Sequence, residues 1–554
     1  MCFLILAVAA VGVTSQEEPR RMGAVVSNGI GCAEVGGNIL DIGGSAADAV
    51  IATMLCEEVV VPHALGIGGG FVATIYTKET GSMESLIARE TAPAAAKQDM
   101  FMGREEVFTG AIDSGVPGQI YGLAKLHEKY GRLPWKSLFQ PAINLCRQGI
   151  EVSENLSAAL VKRKKYIWSR ASLAEIFINP KTDNMYRKGE IMYRHRLANT
   201  LEILAEEGAQ AIYGGGSLGR KLVEDIQEMG GIITEEDLKR YNVRWERPLH
   251  SRFHGYELYT SPLPTSGAVL IFILNVMEPL FTNNTDIYWH RLIETFKHAY
   301  GRRSNLADIH YEPDVQEMYE NLINPAFAAE IRRLIRDNTT FEDLTYYGAN
   351  FTNVEDHGTA HISVLAPNGD AISVTSSINA DFGAKVRSRQ TGIILNGQMD
   401  DFSTPGKINY YNLPPNPFNY IKPGKRPLSS MCPSIVLDSH GNVKLIVGGA
   451  GGATITTTVS QTILKYLVLH ESIEDAVNGP LLHHQLVPMI ISTEHELNNH
   501  TIAHLEAMGH RVKFQLLQHS AQTAIGVTDG KPEPVCDQRR YGSVVVVKQP
   551  KLIE

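Results

Sequence analysis

Cysteine is scarce in this chain, which has six among 554 residues and no C-x-x-C pair. That content is too low for a disulfide-stapled scaffold, and the spacing disfavours a zinc finger or a thioredoxin-type redox motif. An excess of positive charge is also lacking, because 51 Lys and Arg stand against 60 Asp and Glu, a net charge of −9. A nucleic-acid-binding protein needs a basic face, so this function is disfavoured.

The apolar run at the amino end, Phe3 to Val13, is too short to span a bilayer, which takes about 20 residues. Its length is typical of the apolar region of a signal peptide, with Val13-Thr14-Ser15 as the cleavage site, so residues 1–15 are predicted to be a targeting segment. A truncated membrane anchor and a buried strand are the alternatives. Hydrophobic residues make up 44% and charged residues 20%, as in soluble globular proteins.

Sequons of the form N-x-[ST] fit the secretory interpretation, because this motif is an acceptor of N-linked glycans in secreted proteins. The sequence therefore predicts an extracellular protein, either secreted or anchored at the outer face of the plasma membrane. The five candidate glycosylation sites are Asn155, Asn283, Asn338, Asn350 and Asn499.

Several familiar motifs are absent or misleading. The only match to G-x-S-x-G, Gly215 to Gly219, does not follow a strand, so the nucleophile elbow of serine hydrolases is disfavoured. The glycines from Gly214 to Gly219 follow a helical pattern rather than a strand, which predicts a helix end and a turn instead of a dinucleotide site. The paired histidines, His483-His484 and His500 with His504, lack the companions of a metal site. The basic run Lys162 to Lys165 is predicted to be a solvated helical face.

The hydrophobic pattern changes along the chain. Residues 31–60 and most of 120–345 show helical periodicity, whereas 71–76 and 85–89 read as strands. Beyond residue 356, apolar runs flank the turns at 367–370 and 438–442, which predicts two hairpins; a helix at 454–470 and a strand at 542–548 follow. Residues 402–427 lack periodicity, which favours a functional loop such as a lid. The class is α+β or layered α/β, and length alone suggests three or four domains.

Eight motifs follow one another along the chain: GGSAADA (43–49), HALGIGGGF (63–71), ARETAP (88–93), DHGTAH (356–361), SSIN (376–379), NGQMDDFS (396–403), KRPLSSMCPSIV (425–436) and VGGAGGATITT (447–457). In this order they resemble the γ-glutamyltransferase (γ-glutamyl transpeptidase) family of animal type, and the resemblance runs from about residue 23 to 542. It implies an N-terminal nucleophile hydrolase, a four-layer αββα sandwich made by one precursor that cuts itself before Thr359. The large subunit would be residues 16–358 and the small subunit residues 359–554.

The chemistry that the resemblance implies needs no separate base. Gly358 has no Cβ, so its carbonyl can be approached by the Thr359 hydroxyl, and the acyl group shifts from nitrogen to oxygen before water releases it. The new α-amine of Thr359 has a reference pKa of about 7.7–8.0 and can accept the hydroxyl proton. The family match places Ser377 beside the nucleophile and the oxyanion hole at Gly451 and Gly452.

The substrate would be glutathione or another γ-glutamyl compound, with water, an amino acid or a dipeptide as the acceptor. By the same match, the α-carboxylate of the substrate would bind Arg89, assisted by Ser429 and Ser430. Its α-ammonium would bind a second set, formed by Asp401, Asn379 and Gln398. The chain departs from the family in two places: Ser377 stands where a Thr is common, and Gln398 stands where vertebrate members tend to have Glu.

The resemblance further implies a disulfide between Cys32 and Cys56, with Cys146 and Cys432 as buried free thiols, and neither a metal nor an organic cofactor. Two rival functions stay open. One is an acylase of the same fold, which the charged set of Arg89 and Asp401 disfavours. The other is a secreted, non-catalytic binding protein, which the retention of Thr359 disfavours.

Overall fold

The computed structural model describes residues 22–104, 109–352, 358–407, 413–494, 497–514 and 520–548, so the predicted targeting segment lies outside the described residues. The strands are β1 (Met22–Ser27), β2 (Gly70–Thr77), β3 (Ser82–Ala88), β4 (Ile150–Glu151), β5 (Ile178–Asn179), β6 (Asn184–Met185), β7 (Ile191–Met192), β8 (Arg244–Glu246), β9 (Leu249–Phe253), β10 (Tyr256–Thr260), β11 (Thr359–Leu365), β12 (Ala371–Ser377), β13 (Ser434–Leu437), β14 (Val443–Ala450), β15 (Leu482–His483), β16 (Ile491–Thr493), β17 (Val512–Phe514), β18 (Ala521–Thr528), β19 (Lys531–Cys536) and β20 (Ser543–Lys548).

The helices are α1 (Cys32–Asp41), α2 (Ala46–Val60), α3 (Gln119–Tyr130), α4 (Trp135–Gln148), α5 (Glu154–Lys162), α6 (Lys164–Ser169), α7 (Ala171–Phe177), α8 (His195–Glu207), α9 (Gln210–Tyr213), α10 (Ser217–Glu228), α11 (Glu235–Arg240), α12 (Gly267–Met277), α13 (Thr285–Arg303), α14 (Gln316–Ile323), α15 (Pro325–Arg332), α16 (Thr454–Leu467), α17 (Ile473–Asn478) and α18 (Asn499–Ala507). Short 3₁₀ turns add Gln398–Asp401 and Pro417–Asn419.

Two antiparallel sheets stack face to face. The first has the strand order β20-β1-β11-β12-β2-β3-β8, and the second has the order β19-β18-β14-β13-β10-β9. Apolar side chains from both sheets, such as Val26 and Ile446, form one buried cluster between them. A second cluster joins the first sheet to α1–α4, and a third joins the second sheet to α12, α13 and α16. The layers are therefore helix, sheet, sheet and helix, which confirms the predicted αββα class.

The hairpin of β11 and β12 lies at the centre of the first sheet. All residues of both strands are buried, as expected for strands covered on both faces. The turn between them closes through a 2.8 Å hydrogen bond from the amide of Ala366 to the carbonyl of Asp370, and Gly369 supplies a positive φ of 91°. The hairpin predicted from Asn368-Gly369 is confirmed, and its first residue is Thr359.

Elsewhere the structure differs from the predicted elements. The helical stretch at 31–60 is two helices, because Gly43 adopts a φ of 89° and Ser45 caps α2. The region 120–345 was predicted to be mostly helical, yet it contributes β8 to the first sheet and β9 with β10 to the second. The predicted helix at 454–470 ends at Leu467. The glycines at 214–216 form the turn between α9 and α10, as predicted.

A disulfide joins Cys32 at the start of α1 to Cys56 in α2, and it confirms the predicted pair. Cys146 and Cys432 are buried free thiols, also as predicted. Within the described ranges, no helix combines the length and the apolar content needed to cross a bilayer. Of the five sequons, Asn155 is half-buried and the other four asparagines are exposed.

Candidate active site

The candidate nucleophile, Thr359, stands at the first position of β11. It is 4% exposed and pairs across the hairpin with Ser377, the last residue of β12. Its carbonyl accepts a 2.8 Å hydrogen bond from Nη1 of Arg540, which comes from the segment between β19 and β20. The segment between β19 and β20 therefore contacts the start of β11 at this residue.

The preceding peptide bond is held in an unusual geometry. Gly358 has a φ of 75°, and a Cβ built on it would lie 2.1 Å from the carbonyl oxygen of Asn379, so a side chain does not fit. Its carbonyl accepts a 2.6 Å hydrogen bond from Oγ of Ser377. The same Oγ accepts a 2.8 Å hydrogen bond from the amide of Asn379, which leaves the Ser377 proton directed at the Gly358 carbonyl.

The segment that packs against Gly358 is strained. Three non-glycine residues adopt positive φ: Asn379 (72°), Phe382 (62°) and Lys385 (57°). Such conformations cost about 1–3 kcal/mol each and persist where the surroundings impose them. Asp381 ties the segment to the end of α5 through ion pairs with Arg163 (3.1 Å) and Lys162 (3.4 Å).

The ion pairs of Asp381 change the interpretation of the basic run from Lys162 to Lys165. Lys164 and Lys165 are exposed, as predicted for a solvated face, but Lys162 and Arg163 bind Asp381. Burial alone would raise the pKa of Asp381, whereas His63 and these two cations bring its pKa to about 2. Part of the run therefore anchors the segment that packs against Gly358.

Arg89 follows the last residue of β3 and is buried among the candidate substrate-binding residues. Its Nη2 donates to Oδ2 of Asp401 and to the carbonyl of Leu428 (3.3 Å), and its Nε donates to the carbonyl of Pro427 (2.9 Å). Its Nη1 is also buried, and no described residue accepts a hydrogen bond from it. A buried donor without a partner costs about 1–3 kcal/mol, which an anionic ligand would remove.

The 3₁₀ turn Gln398–Asp401 supplies the matching acceptors. Nε2 of Gln398 donates to Oδ2 of Asp401 at 3.2 Å, while Oε1 of Gln398 is buried and accepts from no described residue. Nδ2 of Asn379 donates to the carbonyl of Gly397 at 2.9 Å, so it lies against the same turn. Arg89 and Gln398 thus both contact Asp401. Each also carries a second buried polar atom without a partner among the described residues, Nη1 of Arg89 as a donor and Oε1 of Gln398 as an acceptor.

The candidate serines directly follow Pro427 and Leu428, whose carbonyls accept hydrogen bonds from Arg89. Oγ of Ser430 accepts a 3.0 Å hydrogen bond from Nη2 of Arg303, which is the last residue of α13. Oγ of Ser429 accepts from the amide of Met431 at 3.3 Å. Arg303 also lines a small cavity, of about 10 Å³, that reaches Asp401. That volume holds about one water molecule, so a larger ligand requires the surrounding segments to move.

Part of the predicted loop at 402–427 forms the cover of this cavity. Nδ2 of Asn419 donates to the carbonyl of Asp401 at 2.7 Å, and its Oδ1 accepts from the amide of Leu428 at 3.2 Å. A bridge pairs Ser403 with Tyr420, and no helix or strand is present in the described residues 402–407 and 413–427 apart from the 3₁₀ turn Pro417–Asn419. The arrangement fits the lid hypothesis.

Two carboxyl groups beside the site, of the buried Glu90 and the half-buried Asp400, have raised pKa values. Burial raises the pKa of Glu90 to about 8, although Arg89 opposes the shift. Burial and the neighbouring Asp401 raise the pKa of Asp400 to about 9. Both carboxyls are therefore neutral at pH 7, which reduces the negative charge next to the Arg89–Asp401 ion pair.

Gly451 and Gly452 follow β14, whose Gly448 lies against the ring of His361 in β11. Both glycines have positive φ, 122° and 62°. No described residue accepts a hydrogen bond from either amide. Two amides left available in a turn before a helix can bind an oxygen anion.

Nowhere in the described ranges do three or more His, Cys, Asp or Glu side chains group as metal ligands.

Several of these contacts were not predicted from the sequence. Arg303 lies at the end of a long amphipathic helix, and Asn419 lies in an aperiodic loop. Arg540 and Asp381 carry no local motif that sets them apart. The contacts of Arg303, Arg540 and Asp381 span more than a hundred residues of chain, and a single sequence carries no signal for such contacts.

Comparisons with known proteins agree with the geometry. The family model described as Gamma-glutamyltranspeptidase matches residues 32–547. Scoloptoxin SSD14 of Scolopendra dehaani is 40% identical, over 90% of this chain and 88% of its own length. Glutathione hydrolase 3 of Arabidopsis thaliana is 38% identical, over 88% of this chain and 76% of its own length. Glutathione hydrolase 5 proenzyme of Mus musculus is also 38% identical, over 83% of this chain and 81% of its own length.

Solved structures support the fold. The cephalosporin acylase of Bacillus halodurans superposes with a TM-score of 0.82 at 22% identity, over 97% of this chain and 99% of that one. The γ-glutamyltranspeptidase of Helicobacter pylori has a TM-score of 0.53 at 31% identity, over 56% of this chain and 90% of that one. At 22% identity the acylase shows the αββα architecture and not the substrate.

Proposed function

This chain is an enzyme of the gamma-glutamyltranspeptidase family, and on that premise we propose that it is an extracellular glutathione hydrolase and γ-glutamyltransferase that matures by cutting itself between Gly358 and Thr359. The large subunit would be residues 16–358 and the small subunit residues 359–554, joined in one αββα domain. Several relatives are named proenzymes, which supports maturation by cleavage.

The observation that carries the proposal is the hydrogen bond from Ser377 to the Gly358 carbonyl. In the uncut chain, Oγ of Thr359 attacks that carbonyl, and a donor already aimed at its oxygen stabilises the negative charge that develops. The C–N bond to Thr359 breaks as the ester bond to its Oγ forms. Water then hydrolyses the ester, which frees the carboxylate of Gly358 and the α-amine of Thr359.

In the mature enzyme, the same hydroxyl would attack the γ-amide of the substrate. The α-amine of Thr359, with a reference pKa of about 7.7–8.0, accepts the hydroxyl proton and passes it to the leaving amine. The amides of Gly451 and Gly452 would bind the oxygen of the tetrahedral intermediate. The resulting γ-glutamyl ester on Thr359 is then resolved by water, or by the amine of an amino acid or dipeptide.

Substrate recognition would use the buried ion pair. The α-carboxylate of the γ-glutamyl group would accept from Nη1 of Arg89, with Ser429 and Ser430 as further donors. The α-ammonium would donate to Asp401, Asn379 and Oε1 of Gln398. An acylase substrate without an amino-acid end would leave these charges unmatched in a buried site, so the acylase alternative is disfavoured.

The test is to express the secreted chain, sequence its fragments, and assay γ-glutamyl-p-nitroanilide with and without glycylglycine. We expect two fragments, release of p-nitroaniline, and faster release when glycylglycine acts as the acceptor. A cut chain that ignores γ-glutamyl donors would favour the acylase. An uncut chain without turnover would contradict the enzymatic proposal altogether.

A further inference from the structure

A tyrosine from the outer helical layer reaches the loop that follows β14. Tyr300, in α13, is 0% exposed, and its hydroxyl donates a hydrogen bond to the carbonyl of Ala453. Ala453 directly follows Gly451 and Gly452 and packs on the apolar cluster that contains Tyr300. The contact therefore joins α13 to the candidate oxyanion loop across 153 positions of sequence.

The other hydrogen bonds of this loop are mostly local. Oγ1 of Thr454 donates to the carbonyl of Gly451 at 3.0 Å, and the amide of Ile455 donates to the carbonyl of Gly452 at 3.0 Å. Two consecutive glycines with positive φ have wide conformational freedom, so local bonds alone restrain them weakly. A hydrogen bond from a buried helix to Ala453 fixes the peptide plane at which the loop ends.

We propose that Tyr300 is a positioning residue for the oxyanion hole: its hydroxyl holds Ala453 so that the Gly451 and Gly452 amides point at the substrate oxygen. The inference rests on the proposed function, because it assumes that these amides act on a γ-glutamyl substrate. Tyr300 touches neither substrate nor nucleophile in this scheme, and its effect passes through the loop.

The two reactions of Thr359 should depend on Tyr300 differently. In self-cleavage the carbonyl under attack belongs to Gly358, and its oxygen already has a donor in Ser377. In substrate turnover the oxygen belongs to the substrate and relies on the glycine amides. Loss of the Tyr300 hydroxyl should therefore slow turnover and leave maturation intact.

The chain offers a matched control on the same helix. Tyr288 is 4% exposed, and its hydroxyl is buried with no hydrogen-bond partner among the described residues. Tyr300→Phe and Tyr288→Phe each remove one buried hydroxyl from α13 and keep the ring. Tyr288→Phe breaks no hydrogen bond of the described structure. It therefore measures the effect of removing a buried hydroxyl from α13 when no hydrogen bond is lost.

The experiment compares both variants with the wild type for the rate of precursor cleavage, and for kcat and KM with γ-glutamyl-p-nitroanilide per titrated active site. We expect Tyr300→Phe to lower kcat roughly tenfold, less than the loss of a whole oxyanion donor, which costs about 100-fold or more. KM should stay within about twofold, cleavage should proceed at the wild-type rate, and Tyr288→Phe should match the wild type throughout.

An unchanged kcat in Tyr300→Phe would overturn this inference alone, as would a loss confined to thermal stability. A cleavage rate that falls as much as kcat would also overturn it, because the residue would then support the fold in general. Absence of γ-glutamyl turnover by the wild type would overturn the proposed function, and the inference with it.

Discussion

The hydroxyl of Ser377 donates a 2.6 Å hydrogen bond to the carbonyl oxygen of Gly358, one residue before the candidate nucleophile. The hairpin register fixes this contact, because Ser377 lies opposite Thr359 at the open end of β11 and β12. A hydrogen bond to that oxygen becomes more stabilising as negative charge develops on the oxygen during attack. If the chain cuts itself at Gly358 as proposed, this contact would place the scissile carbonyl in a reactive environment.

Ser377→Ala should slow self-cleavage about 100-fold, as expected for the loss of one oxyanion donor. Ser377→Thr should retain cleavage, because it keeps the hydroxyl. The measurement is the time course of precursor and fragments on a denaturing gel. Ser376→Ala is the control, since Oγ of Ser376 bonds Gly70 and Gln119 instead. Equal rates for Ser377→Ala and the wild type would refute the role of this hydroxyl.

Gly358→Ala should block maturation. The new Cβ would approach the Asn379 carbonyl oxygen to 2.1 Å, and alanine at a φ of 75° is itself strained by about 1–2 kcal/mol. Gly441→Ala is a control with similar φ (71°), whose Cβ would come no closer than 3.4 Å to Tyr76. Gel analysis should show a persistent precursor for the first variant and normal fragments for the second. Normal cleavage of Gly358→Ala would contradict the steric argument.

Arg89→Ala should raise the KM for γ-glutamyl-p-nitroanilide at least about tenfold, because a hydrogen bond to a charged group contributes about 1.5–3 kcal/mol. Self-cleavage should continue, since Arg89 does not contact Gly358. The variant should also unfold more easily, by about 3–5 kcal/mol, because Asp401 stays buried without its guanidinium partner.

Arg89→Lys is the matched variant for this prediction, and it should bind the donor with an affinity between those of Ala and the wild type. Arg89→Ala/Asp401→Ala should recover part of the lost stability but none of the affinity. Steady-state kinetics and urea unfolding measure the two effects separately. An unchanged KM in Arg89→Ala would exclude Arg89 as the carboxylate ligand.

Stability should fall as the pH rises from 6.5 to 8. Burial raises the pKa of Glu57 and Glu58 to about 7 and that of Glu90 to about 8, so the native state keeps protons that the unfolded state has released above about pH 4.5. The folded-state pKa is the higher one, so stabilisation is present at low pH and is lost as pH rises through these values.

Asp400, whose pKa is raised to about 9, acts in the same direction, and the four carboxyls together lose about 5 kcal/mol across this interval. Six buried histidines with lowered pKa oppose this loss; burial lowers the pKa of His361, for example, to about 3. The unfolded state, with a His pKa of about 6.5, is still half protonated at pH 6.5, so each of them adds up to about 0.4 kcal/mol of stability towards pH 8. The expected net loss is therefore about 2–3 kcal/mol. Urea unfolding of a Thr359→Ala precursor at both pH values measures the change. A stability that is constant or rises towards pH 8 would contradict it.

The central hairpins of the fold could be predicted from the sequence because their signals are local. Asn368-Gly369 between two apolar runs marks β11 and β12, and the stretch 438–442 marks β13 and β14. The strands β9 and β10 were missed, because they are short and carry polar residues such as His250 and Glu257. Their place in the second sheet depends on pairing with β13, more than 170 residues later.

Some residues of the candidate site could likewise be predicted from local sequence signals, and others could not. Thr359, Arg89 and Asp401 belong to motifs long enough to be recognised in one sequence. Tyr300 and Arg303 do not, because a helix sequence does not reveal which distant loop its inner face will touch. Asp381 was missed for a related reason, since its partners in α5 looked like a solvated basic run.

The most direct test of the account is mass spectrometry of the small fragment after brief mixing with a γ-glutamyl donor. If Thr359 is the nucleophile, the fragment should begin at Thr359 and carry one γ-glutamyl group on that residue. A fragment that begins at another residue, or a γ-glutamyl group attached elsewhere, would contradict it.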